Sequence, residues 1–320
     1  MPSIYPLSWG VEELDRLTGA GIISRCLYLF FGETGVGKTT LSTYQPICRS
    51  ALKLKETLGE IPEKVRWIVM DGDGGFDLDR LRQILEANGL DWSEIKDKLL
   101  YTVFTTFDEQ HSFICGKRGK KKEEGEEELM ETPMSDVVAP REASRFLREV
   151  IDAGGIEAWL LAHPEIVPLS VSVDPISAIY RGILLRTPLE ARSVQLMMMQ
   201  GKMDLQLAVL RKLSVVYDIP VFVTTWSRSP LGKAFKEHER RKAEKEAKKK
   251  GEEPELPPET PDQPFIGGRT FGFIAKQIWE ITAPSEYQPV RVAKVWKSRT
   301  VAQGRYARFR LCDAGIEPVK

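Results

Sequence analysis

Residues Gly32, Glu33, Thr34, Gly35, Val36, Gly37, Lys38 and Thr39 spell GETGVGKT, with Thr40 directly after them. The spacing G-x-x-x-x-G-K-T is that of a loop that cradles phosphate. Glycines let the chain curl until its N–H groups surround an anion, and a helix amino-terminus just behind adds a favourable dipole. Lys38 supplies charge for the outer phosphates of a nucleotide, and Thr39 a hydroxyl for Mg²⁺. The implied ligands are ATP and Mg²⁺.

Such a loop needs a second metal contact from an acid at the end of another buried strand. The run VPLSVSVD offers Asp174, which is either that contact or only a turn residue before Pro175. Hydrolysis also needs a group that orients water. Asp71-Gly72-Asp73-Gly74-Gly75-Phe76, directly after the apolar VRWIVM, places two acids where a strand beside the phosphate-loop strand would deliver them, since open α/β sheets bind ligands at the carboxyl ends of their strands. A tight turn shaped by glycine is the plainer reading. A calcium-type loop is disfavoured because no acid stands at its closing position.

These residues need a scaffold. An apolar strand over Cys26 to Phe31, the glycine turn and a helix from near Lys38 form the first unit, with Pro46 expected to kink that helix or end its first segment. Further strands are expected at Val65–Met70, Tyr101–Phe104, Val167–Val173 and Ile219–Thr225, with helices at Leu78–Ala87 and about Glu190–Tyr217. Ile278–Thr282, Val290–Val295 and Tyr306–Leu311 read as a strand meander. The fold class is α/β: a mainly parallel, helix-covered sheet with a carboxyl-terminal antiparallel extension.

Lys plus Arg and Asp plus Glu both total 46 in 320 residues, so any contact with a polyanion must be local. Four scattered cysteines without a C-x-x-C pair fit reduced thiols and a cytoplasmic location. No apolar run reaches the length of a membrane span. Asn88, the sole asparagine, points to a thermophilic source. Charged stretches at about 116–137 and 228–264 cannot bury a core and read as mobile insertions in a single domain spanning 1–320. Met197, Met198, Met199 and Met203 on the long helix serve either the core or a plastic partner surface.

In order along the chain, LSWGVEELDRLTGAGI, GETGVGKTTLS, VMDGDGGFDLDRLRQI, VSVDPISAIYR, IPVFVTTWS, IGGRTFGFIAKQIWEI and KSRTVAQGRYARFRLCDAGI resemble the RecA/RadA recombinase ATPases, and within them the archaeal RadB-like paralogues. The resemblance implies a RecA-like core acting in DNA repair and homologous recombination. It puts Asp73 where the family has its water-activating glutamate, Arg80 on an arginine near the nucleotide base, and Thr39 with Asp174 on the metal. Two DNA loops are implied, one carrying Arg181, Arg186 and Arg192, the other Lys233, Arg240 and Arg241. Single-stranded DNA and a full-length RadA-type recombinase are the implied partners, although the second loop also reads as a solvated charged helix. A KaiC-like regulatory ATPase and a nucleotide-gated interaction module are the rival readings.

Three departures bear on activity. Asp73 is one methylene shorter than glutamate, and Pro175 replaces the usual serine. Trp226 stands where the family has a γ-phosphate-sensing glutamine, and an indole N–H accepts no hydrogen bond. Nucleotide binding is thus expected, with weak hydrolysis. The core begins near Met1 with no amino-terminal DNA-binding domain expected ahead of it, which favours an accessory role over self-polymerising strand exchange.

Overall fold

A computed structural model describes residues 3–117, 141–227, 264–267, 269–285 and 288–319. Its centre is a nine-stranded sheet in the order β3-β2-β4-β5-β1-β6-β7-β8-β9. The strands are β1 Cys26–Gly32, β2 Val65–Asp71, β3 Leu99–Val103, β4 Val167–Asp174, β5 Pro220–Trp226, β6 Gln277–Thr282, β7 Val290–Lys297, β8 Tyr306–Cys312 and β9 Gly315–Pro318. Pairing is parallel from β3 through to β6, and antiparallel from β6 to β9. The expected α/β class is what the chain adopts, with β9 an additional short strand.

The alternation of side chains along β1 divides the core. Leu27, Leu29 and Phe31 join one buried cluster, Tyr28 and Phe30 another on the opposite face. On the second face, Trp9 of the entry segment lies among Tyr28, Phe30, Phe222 and Trp279, with ring centroids 5.6 to 6.1 Å away. That aromatic packing anchors the amino-terminal segment over the phosphate-loop strand.

The helices are α1 Glu12–Arg16, α2 Gln45–Leu58, α3 Leu78–Ala87, α4 Phe107–Cys115, α5 Arg141–Asp152, α6 Ile156–Ala162, α7 Ala178–Arg186, α8 Leu189–Val216 and α9 Arg269–Ile274. Pro46 does not end the helix behind the phosphate loop. Residues Thr40–Tyr44 form a π-helical turn, and Pro46 lies in the first turn of the α segment that follows, where its missing N–H coincides with the change of register.

Two expectations need correcting. β2 does not neighbour β1, because β4 and β5 lie between them. The segment from Arg181 to Arg192 is also helical rather than a loop, α7 and α8 being separated only by Thr187 and Pro188. Pro188 explains the break, since the residue before a proline is driven from helical to extended backbone and Thr187 sits at ψ 131. The methionines divide: Met199 and Met203 are core, whereas Met197 and Met198 are exposed.

Among the described residues no helix is long and apolar enough to cross a membrane. The four cysteines form no disulfide among the described residues. Most of the two charged stretches, including Lys233, Arg240 and Arg241, lies outside the described residues.

Candidate nucleotide site

The phosphate loop leaves β1 at Gly32, where no side chain is tolerated: a Cβ there would stand 2.2 Å from the carbonyl oxygen of Ile281. Gly35 and Gly37 take φ of 78 and 92, a region that favours glycine. The buried Lys38 curls back, its Nζ donating to the carbonyls of Gly32 at 3.1 Å and Glu33 at 2.6 Å. Burial lowers the Lys38 pKa, while Asp174, Asp73 and Glu33 oppose that shift.

Asp174 ends β4, two strands from β1, and is buried. Thr224 donates its hydroxyl to Oδ1, Ser42 donates to Oδ2 at 3.4 Å, and the Thr39 side chain also bonds this carboxyl. Burial raises its pKa, and the Thr224 and Thr39 hydroxyls together with Lys38 pull it back. The next peptide bond, to Pro175, is cis.

The DGDGGF turn is stitched to the same strand end. Gly72 N–H donates to the Asp174 carbonyl at 2.9 Å, and a Cβ on Gly72 would meet the Pro175 carbonyl at 2.1 Å. The two acids of the turn face different tasks. Asp71 is buried, its Oδ1 accepting from the backbone N–H of Asp73, Gly74 and Gly75 at 2.8 to 3.2 Å and its Oδ2 from Phe76 at 3.0 Å. Asp73 projects to the exposed rim. Enclosure by the surrounding protein, then the carboxylates of Asp71 and Asp174, push its carboxyl up to about 6. Asp77 caps α3 by accepting from Asp79 and Arg80 N–H, and its own N–H donates to the Tyr44 hydroxyl at 2.9 Å, so the turn is tied to the helix behind the phosphate loop.

The site therefore gathers Lys38, Thr39, Asp73 and Asp174 at the carboxyl edge of the parallel strands. Among the described residues no group of three His, Cys, Asp or Glu is placed to enclose a metal ion. The donors suit Mg²⁺ all the same, because that ion takes one or two protein oxygens and completes its shell with phosphate and water. Carboxylates outnumber the one ammonium, and a divalent cation would offset that excess.

Arg80 is engaged with the carboxyl-terminal strands. Its Nη2 donates to the Cys312 carbonyl at 2.5 Å and its Nη1 to the Asp313 carbonyl at 3.3 Å, while Gln83 and Asn88 bond Asp313 and the Ala314 carbonyl. Arg80 thus clasps α3 to the turn between β8 and β9. Leu311 of β8 crowds Gly37, a Cβ on which would lie 3.0 Å from it, and Arg291 Nη2 stands 3.5 Å from the Gly35 carbonyl. Sequence reasoning missed both residues, for strand alternation names a face without naming the loop it covers.

On the other side, Trp226 pairs in register with Gly32, and Ser227 N–H donates to the Gly32 carbonyl at 3.3 Å. The Arg181 guanidinium lies over the Trp226 ring, 5.3 Å from its centroid. Arg186 is exposed at the end of α7, and Arg192 belongs to α8.

The Rad51 family matches residues 2–130, the part that carries the phosphate loop and the DGDGGF turn. Over that part the chain is similar to the RecA/RadA recombinases. It is 32% identical over 122 residues to the meiotic recombination protein DMC1 homolog A of Oryza sativa subsp. japonica, covering 38% of this chain and 34% of that protein. To the DNA repair and recombination protein RadA of Ignicoccus hospitalis it is 29% identical over 113 residues, 35% of this chain and 34% of the relative. The match thus spans about a third of the length of these curated relatives. The crystal structure of the RadB recombinase aligns over 98% of this chain and 100% of that one, with a TM-score of 0.57 at 23% identity, a likeness of fold.

Proposed function

We propose that this chain is a RecA/RadA-type ATPase that binds ATP with Mg²⁺ and hydrolyses it slowly, acting as an accessory or regulatory paralogue in DNA repair and homologous recombination. The observation that carries the reading is the convergence of Lys38, Thr39, Asp73 and Asp174 on one edge of the sheet. Backbone N–H groups of Gly32–Thr39 and the Lys38 ammonium hold the phosphates, and Thr39 and Asp174 hold the metal. Mg²⁺, when bound, neutralises charge on the phosphate oxygens. Asp73 accepts a hydrogen bond from the attacking water and aims it in line with the bond that breaks.

Slow turnover follows from two features. Asp73 reaches less far than a glutamate, and a carboxyl pushed up to about 6 is a partly protonated acceptor near neutrality. Trp226, stacked under Arg181, offers no acceptor for coupling the γ-phosphate to DNA. The same features support a second reading, a nucleotide-gated interaction module with negligible hydrolysis.

Single-stranded DNA is the proposed polyanion, met by Arg181, Arg186 and Arg192, with Lys233, Arg240 and Arg241 on the second segment. A full-length RadA-type recombinase is the proposed protein partner. Phosphate release measured with and without single-stranded DNA, beside capture of a purified recombinase, tests the whole reading. Slow release together with DNA or recombinase binding is expected. Nucleotide binding without release selects the gated module, and absence of both DNA and recombinase binding overturns the repair role.

A further inference from the structure

The 28-residue helix α8 is apolar on two sides, and the described residues bury only one of them. Met199, Met203, Leu207, Leu210 and Leu213 are buried in the core. The opposite side runs Val194, Met198, Gly201, Leu205, Ala208 and Lys212, all exposed, Val194 at 57%, Met198 at 56% and Leu205 at 42%. Met197, on the flank of that row, is 70% exposed. A surface helix of a globular protein ordinarily carries charge on its outer face, and one that is apolar all round is expected to be covered.

The spacing along this row is four, three, four, three, four, which is the seam of a coiled coil. We propose that this face binds a second copy of the same chain, with the two α8 helices antiparallel and the two-fold axis at the level of Met203. The row is complementary to itself in that arrangement. Leu205 of one copy falls on Gly201 of the other, Met198 on Ala208, and Val194 on the aliphatic stem of Lys212. The exposed end positions continue the scheme, Ala191 falling on Val215. Each layer sets one larger side chain against a smaller or slender one, so the helices approach closely without voids. Lys212 keeps its ammonium at the edge, where Glu157 already pairs with it.

Near the axis the flanking charges are Lys202 and Asp204, each of which would meet its own copy. Both are already engaged within the chain: Lys202 Nζ bonds Asp108 at 2.5 Å, and Asp204 accepts from Gln200 at 3.0 Å. No bare like-charge pair results. A helix of this length extends about 42 Å. A strip roughly 15 Å wide along it removes about 600 Å² from each copy, or about 1,200 Å² in total, at the lower end for specific interfaces. The dimer should therefore be reversible and depend on concentration.

The test uses the full chain. Sedimentation over a range of concentrations should show a monomer–dimer equilibrium, weakened roughly tenfold or more by Met198→Glu or Leu205→Glu, because each puts a carboxylate into an apolar contact. Both positions are exposed, and circular dichroism with melting checks that the variants fold. Orientation is read from cysteines: Met198→Cys with Ala208→Cys in one chain should give a disulfide-linked dimer, while either change alone should not. Within one helix those positions lie about 15 Å apart, too far to join to each other. Wild type, oxidised in parallel, controls for the native cysteines. A wild type that stays monomeric at about 100 µM, a concentration ample for micromolar affinity, overturns the proposal. So does a dimer indifferent to both glutamates, or efficient linkage with Met198→Cys as the single change, which would mean a parallel seam.

Discussion

The carboxylate of Asp71 accepts the backbone N–H of Asp73 at 3.1 Å, so one acid of the turn holds the other in place. The same group takes three further N–H donors and is buried. Asp71→Ala would remove the buried acceptor that those partly buried donors share, leaving Gly75 N–H only its bond to Asp73 Oδ1. A stability loss of about 2–4 kcal/mol is expected. Asp73→Ala, at the rim, should cost no stability against denaturant while abolishing phosphate release. Equal destabilisation by the two changes would contradict this division.

Ionisation of Asp73 should be visible in pH dependence. Its folded pKa of about 6 lies above its ordinary 3.8, so the folded chain holds that proton more tightly than the unfolded chain. Stability therefore falls as pH rises from about 4 to about 6 and levels off above, in the absence of nucleotide. Asp73→Asn removes the dependence: the variant should melt higher than wild type above about pH 6, and the two should converge near pH 4. Phosphate release by wild type should rise through the same interval. Parallel melting curves across that range would refute the assignment.

For Lys38 the expectation is a split between affinity and fold. Burial of its ammonium is unfavourable without a ligand, whereas hydrogen bonds to a charged phosphate contribute about 1.5–3 kcal/mol. Lys38→Ala should weaken ATP binding roughly 10- to 100-fold, with the nucleotide-free melting temperature nearly unchanged. Thermal shift with and without ATP reads both quantities at once, since only a bound ligand stabilises the folded state. Retained ATP stabilisation in the variant would count against the site.

Arg181 and Trp226 form the remaining pair with a measurable consequence. An exposed guanidinium over an indole contributes about 0.5–1 kcal/mol, and removing one cation that binds a DNA phosphate lowers the salt slope by about one. Arg181→Ala should reduce both affinity for single-stranded DNA and the salt slope, whereas Trp226→Gln should reduce neither and should raise DNA-dependent phosphate release. A salt slope unmoved by Arg181→Ala would remove this arginine from the DNA interface.

Features encoded locally were legible in the chain itself. GETGVGKT announces its chemistry because a phosphate cradle is built from eight consecutive residues and the strand and helix that flank them. The strands VRWIVM and VPLSVSVD are contiguous apolar runs, and α8 shows itself by length. The class of the sheet follows from the alternation of these units. Tertiary structure decided which strands are neighbours, placing β4 and β5 between the phosphate-loop strand and the strand of Asp71. The resemblance had already set Asp73 apart as the water-activating acid; the fold supplied the geometry, giving Asp71 four backbone donors and leaving Asp73 exposed. Leu311 and Arg291 were brought to the phosphate loop from more than 250 residues away. Among the described residues, packing buried one side of α8 and left the other exposed. Periodicity records which residues share a face, whereas the partner of that face is chosen by packing and loop closure across the whole chain, and those act between segments that carry no local trace of each other.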